Sequence, residues 1–284
     1  MTPLVQSIEW SKMLLLGGIG VLVIAISDVL RRLSSIPTEI TRKIVHVTFG
    51  IIASSFPFLF SHVYSVFLLC LFFFILMLIT KITGKSESIH NIDRRSLGVF
   101  AYPLAVSFIF YLANRNWLYY VVPVLLLAVS DALAALAGRR YGMISYTMLN
   151  HIRTLEGSTA FFISSFIIIL ICILLSHETE NESAILVAIL LALIITGIEA
   201  ISILGLDNIL IPIMGYFFIS KFMSFDLKYL TANIVILLLS FMFSLAISNR
   251  LKRFSFSVCI VLTLILYCIY LWMDNIYYLF HISP

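Results

Sequence analysis

The stretch from Ser130 to Ser158 gathers residues that suit phosphate better than lipid. Asp131 ends an apolar run, and Gly138-Arg139-Arg140-Tyr141-Gly142 follows it closely. Arg153-Thr154-Leu155-Glu156-Gly157-Ser158 then opens the next apolar run. Glycines let backbone N–H groups turn toward an anion, and arginines give forked contacts to phosphate oxygens. Thr154 and Ser158 are suited to cap a helix or to ligate, and the positive end of the helix they start favours phosphate. On a helix Asp131, Ala135, Gly138 and Arg139 share one face, and the alanines among them allow close approach of a helix or a ligand. Three further clusters repeat the theme. Arg42 and Lys43 precede His46 by one helical turn; Arg94-Arg95-Ser96-Leu97-Gly98 leads to Tyr102-Pro103; and Glu199 is followed by Gly205, Asp207, Asn208 and Pro212. Carboxylate and amide oxygens around a glycine break suit Mg²⁺, a hard ion that shares its ligands with phosphate. Taken singly, the arginine pair reads as a membrane anchor, the alanines as packing, Glu156 as a helix-start acid and His46 as a structural hydrogen bond. Together they read as a metal–phosphate site.

Composition dictates what carries that site. The chain has 284 residues, 62% of them hydrophobic and 11% charged, with a mean hydropathy of +1.10. No soluble domain of this size buries so much apolar surface, so the bilayer must act as solvent. Apolar runs recur along the whole length, giving an all-α, polytopic transmembrane helix bundle of about ten spans. The first run, Met13 to Ile26, lacks a small-residue cleavage site and reads as a retained helix rather than a signal peptide. The run at 206–222 is short and contains Pro212, so it is expected to be irregular. Cys70, Cys172, Cys259 and Cys268 lie in apolar runs without CxxC spacing and read as small hydrophobes. Threading the spans places fourteen of the eighteen lysines and arginines on one side, leaving Lys12, Arg115, Lys221 and Lys228 on the other. That asymmetry puts the first side in the cytoplasm and both termini outside it. The net charge of +4 therefore reflects membrane sidedness and does not indicate nucleic acid as a partner. His46, Asp131, Glu199 and Asp207 all fall toward the cytoplasmic ends of their spans, where the active site is expected to face. Charges at membrane depth are tolerated where they face protein, water or a bound ion.

In order, Arg42-Lys43-x-x-His46, Ser96-Leu97-Gly98 with Tyr102-Pro103, Asp131 with Gly138-Arg139-Arg140-Tyr141-Gly142, Thr154-Leu155-Glu156-Gly157-Ser158, and Glu199 through Pro212 resemble the blocks of the dolichol kinase/phytol kinase family. Ser130 stands where that family commonly has glycine. The resemblance implies CTP-dependent phosphorylation of the hydroxyl of a long-chain lipid alcohol (dolichol, polyprenol or phytol), with Mg²⁺. It assigns residues 1–225 to a membrane-embedded kinase domain and leaves 226–284 as two additional helices. In the mechanism it implies, Asp131 and Asp207 hold Mg²⁺ on the triphosphate, with Glu156 and Asn208 as further oxygen ligands. Arg139, Arg140 and Arg153 neutralise phosphate, supported by Arg42 and Lys43, while Gly138, Gly142, Thr154, Gly157, Ser158 and Glu199 complete the nucleotide site. The proton of the alcohol passes to His46 or to a carboxylate such as Asp131 or Glu156. Two alternatives stay open: a phosphatidate cytidylyltransferase-like enzyme making a CDP-lipid, and an ion-coupled transporter built on broken helices.

Overall fold

The computed structural model describes residues 8–33, 38–83, 98–148, 151–203, 205–251 and 255–281. Helices α1 (Trp10–Leu33), α2 (Thr38–Ser54), α3 (Val63–Ile82) and α4 (Gly98–Ala113) come first, with a single helical turn, Phe56–Leu59, between α2 and α3. Helix α5 (Trp117–Tyr141) follows, then a hairpin of β1 (Ser145–Met148) and β2 (His151–Thr154). Helices α6 (Leu155–Ser176), α7 (Asn181–Ile201), α8 (Asp207–Phe222), α9 (Leu227–Leu251) and α10 (Phe256–His281) complete the chain. The cluster Arg94-Arg95-Ser96-Leu97 lies outside the described residues.

Among the described residues, seven helices (α1, α3, α5, α6, α7, α9, α10) are long and apolar enough to cross a membrane. By length and composition this is a multi-pass membrane protein. Among the described residues the expected all-α bundle is present as ten helices of 16 residues or more, seven of which meet that requirement. Helices α2, α4 and α8 have 17, 16 and 16 residues. At about 1.5 Å per residue these described lengths reach ~24–26 Å, near the lower limit for a crossing. Residues near the start of each of the three short helices line the site described below.

Helices α5 and α7 form the centre, with 61% of each apolar window buried against 22–28% in the five other long helices. Leu118, Val122, Leu126 and Leu127 of α5 and Leu190, Leu191 and Ile195 of α7 are all fully buried in one hydrophobic core. Helix α6 packs on both, and the antiparallel pair α9–α10 packs on α7. Asn116 caps α5 by accepting from the N–H groups of Leu118 (3.0 Å) and Tyr119 (3.2 Å). Outward-facing side chains are mostly apolar, as lipid requires, and Cys268 is exposed on α10 while the other three cysteines are buried.

Two features depart from a regular helix bundle. Leu126–Ser130 is a π-helical segment inside α5, and the Asp131 N–H bonds back to Leu126 O, five residues away. The segment between α5 and α6 carries the β-hairpin, with Tyr146 opposite Arg153 and Thr147 opposite Ile152. The hairpin rests on α10: Ser257 Oγ donates to Thr147 O (2.5 Å), and the Tyr146 and Phe256 rings meet edge-on at 5.6 Å.

Candidate active site

The π segment and a glycine bring α2 onto α5. Lys43, His46 and Gly50 share one face of α2, spaced by three and four residues. A Cβ at Gly50 would overlap Ala128 of the π segment, so only glycine permits this approach. The contact seats Lys43, buried at 7% exposure, against the Asp131 carboxylate, which it holds by a short ion pair. His46 Nε2 lies 3.0 Å from Leu127 O and 3.9 Å from Asp131 Oδ2. A carbonyl only accepts, so Nε2 carries the proton and the imidazole lone pair is on Nδ1. The Leu127 carbonyl is the one that the Asp131 N–H would occupy in a regular α-helix, and the π segment releases it to His46.

On the facing side, strand β2 presents Arg153. Its guanidinium pairs with Glu199, buried at 2% exposure, and Nη2 donates to Ser202 O at 2.9 Å. A cation is favoured at the C-terminal end of α7, where unpaired carbonyls gather. Glu199 Oε2 is buried without a hydrogen-bond partner. Asp207 and Asn208 open α8, and Asp207 Oδ1 accepts from the Asn208 N–H at 2.9 Å. Asp207 lies within the fields of Asp131, Arg153 and Lys43.

These elements enclose a cavity of about 550 Å³. Its polar end is lined by Arg42, Lys43, Asp131, Arg139, Arg153 and Asp207, with His46, His151 and Asn208 beside them. Arg139 has no ion-pair partner among the described residues. The first turns of α4 and α8 line the same space, where their positive dipole ends favour a polyanion. The other limb is apolar, formed by Phe49, Phe73, Met77, Val99 and Pro103, and Tyr102 meets His46 edge-on at 5.0 Å where the two limbs join.

The remaining residues singled out by sequence stand around the cavity rather than in it. Thr154 caps α6 by accepting from the Gly157 N–H (3.2 Å), and Glu156 accepts from the Ile144 N–H (3.1 Å) at the base of the hairpin. Ser158 Oγ bonds Tyr146 OH at 2.7 Å. Gly138 faces α6, not the cavity: a Cβ there would meet Thr154 Oγ1 at 2.7 Å, and one at Gly157 would meet the Gly138 Cα at 3.3 Å. Gly142 is pressed against Thr154, and Arg140 lies exposed over the Tyr141 ring at 5.6 Å. So these residues fix the hairpin and the α5–α6 crossing. Sequence reasoning missed His151, which lines the cavity two residues before Arg153. The alternation that puts both on one strand face was present in His151-Ile152-Arg153, once those residues are read as a strand.

No group of three His, Cys, Asp or Glu side chains among the described residues forms a metal cage of its own. Mg²⁺ does not need one, since it takes one or two carboxylates and fills the rest with phosphate and water. Asp131 and Asp207, with the Asn208 amide adjacent, fit that requirement.

Comparison with known proteins finds a phytol kinase from Synechocystis sp. that is 26% identical over 199 residues, covering 67% of this chain and 82% of the relative. The resemblance to the dolichol kinase/phytol kinase family is thereby borne out. No family model and no solved structure matches the chain.

Proposed function

We propose that this protein is a CTP-dependent kinase that phosphorylates the hydroxyl of a long-chain lipid alcohol at the cytoplasmic edge of the membrane. The observation that carries the reading is the two-limbed cavity, in which cations and paired acids meet an apolar limb at His46 and Tyr102. The ordered motifs and the relative named phytol kinase support the same reaction class. Excess positive charge on one set of loops supports the cytoplasmic orientation.

Phosphoryl transfer depends on positioning and charge neutralisation more than on covalent help from protein. Arg42, Arg139 and Arg153 neutralise the triphosphate at the polar end, assisted by the dipole of α8. Asp131 and Asp207 would hold Mg²⁺, which when bound offsets charge on the phosphate oxygens. The tail of the alcohol lies in the apolar limb, so its hydroxyl arrives beside His46. His46 Nδ1 takes the hydroxyl proton as the alcohol oxygen bonds the γ-phosphorus, the bond from that phosphorus to the bridging oxygen breaks, and CDP leaves.

The test is purified protein in nanodiscs with γ-labelled CTP and a panel of lipid alcohols. Label is expected in a lipid monophosphate, dependent on Mg²⁺ and abolished by chelation, and Asp131→Asn is expected to cut the rate by on the order of 10²-fold or more. Transfer of the CMP moiety to phosphatidate would instead identify a cytidylyltransferase, nucleotide-free flux into proteoliposomes a transporter, and full activity of Asp131→Asn would overturn the mechanism.

A further inference from the structure

Beyond the apolar limb lies a second, smaller void of about 40 Å³ between α1, α2, α3 and α4. It has no polar lining residue other than Tyr102, and it shares Phe49, Phe73, Tyr102 and Pro103 with the main cavity. The shared residues are therefore a partition one side chain thick. Phe73 is its central member: its ring meets Phe49 edge-on at 5.2 Å, and its far edge rests on α1 at Gly20. A Cβ at Gly20 would overlap the tip of that ring, so the glycine sets how far the ring withdraws toward α1. The void behind it, walled by Leu16, Ile52, Ala53, Leu69 and Val106, has room for only a few carbon atoms.

Resting on the lipid-alcohol reading above, we propose that Phe73, held back by Gly20, is the residue that sets how much of the acceptor's hydrocarbon tail the enclosed limb takes. A tail that follows the Phe49–Phe73 wall runs toward the void, and the ring closes its way. Removing the ring joins the two spaces, while adding a methyl at Gly20 drives the ring toward the limb. The two changes act on one partition from opposite sides, so they shift the tail preference in opposite directions. A side chain that serves only packing gives no such opposition, because loss of packing lowers turnover on every alcohol alike.

The experiment uses the full chain in nanodiscs with a homologous series of linear primary alcohols, in wild type, Phe73→Ala, the milder Phe73→Leu, and Gly20→Ala. Alanine is a better helix former than glycine, so Gly20→Ala carries no helix-propensity penalty. Expected is a shift of the kcat/KM optimum to longer chains in Phe73→Ala, by about ten-fold in the ratio of long to short acceptors, a smaller shift in Phe73→Leu, and a shift to shorter chains in Gly20→Ala. A second readout, the rise in unfolding temperature on adding each alcohol without nucleotide, measures the same preference without turnover. If all variants keep the wild-type chain-length profile in both readouts, the proposal is wrong. If no alcohol is phosphorylated but the binding profile shifts as described, the tail limb stands and the kinase reading falls.

Discussion

Lys43 is a cation seated beside Asp131 in the most polar part of an apolar bundle. Its removal leaves the Asp131 carboxylate buried without its partner, which costs about 3–5 kcal/mol. Lys43→Met is therefore expected to lower the unfolding temperature in mixed micelles clearly, and Lys43→Met with Asp131→Leu to recover much of that loss while remaining inactive. A double-mutant cycle of unfolding temperatures reads both effects. His46 does a different job: its Nε2–H is committed to Leu127 O, which leaves Nδ1 for the substrate, so His46→Ala is expected to reduce kcat by about 10²–10⁴-fold with little change in the KM for nucleotide. Both residues were legible in the sequence, because Arg42, Lys43 and His46 fall within about one turn at the start of an apolar run. Phe73 was not, since one phenylalanine among twenty-three in an apolar chain announces nothing until the void behind it is seen.

At the scale of elements, the π segment decides what His46 can do. Deleting Val129 would put Leu126 and Asp131 four residues apart, convert their bond to an ordinary α-helical one and hand the Leu127 carbonyl to Ala132. Every named site residue would remain. The deletion is expected to lower kcat to about the level of His46→Ala, and the two changes combined to cost no more than either, as steady-state rates would show. Such a segment differs from an α-helix by one added residue, and no periodicity in Leu126–Ser130 betrays it. The hairpin was equally hidden: four-residue strands are too short for alternation to stand out, and Gly142 and Gly157 read as phosphate turns when they permit close packing instead. What sequence left unexplained in the last two helices has a role here, because Ser257 and Phe256 brace the strand pair that carries His151 and Arg153.

Taken whole, the chain was most legible as alternating membrane helices, including the short run at 206–222, which forms α8. The orientation is testable in a background lacking the four native cysteines. A cysteine at Met143, exposed beside the hairpin, is expected to react with an impermeant maleimide from the cytoplasmic side, and one at Glu178, between α6 and α7, from the opposite side. Helices α2, α4 and α8 are the shortest of the ten, with 17, 16 and 16 described residues, and residues near the start of each line the cavity. This ties catalysis to the lipid around the protein. A bilayer matched to the long helices exceeds the short ones, and each added ångström of acyl thickness deepens that mismatch by a fraction of a kcal/mol. Reconstituted in lipids of increasing chain length, the protein is expected to lose turnover in thick membranes while its helix content is unchanged, making membrane thickness itself a control on the rate.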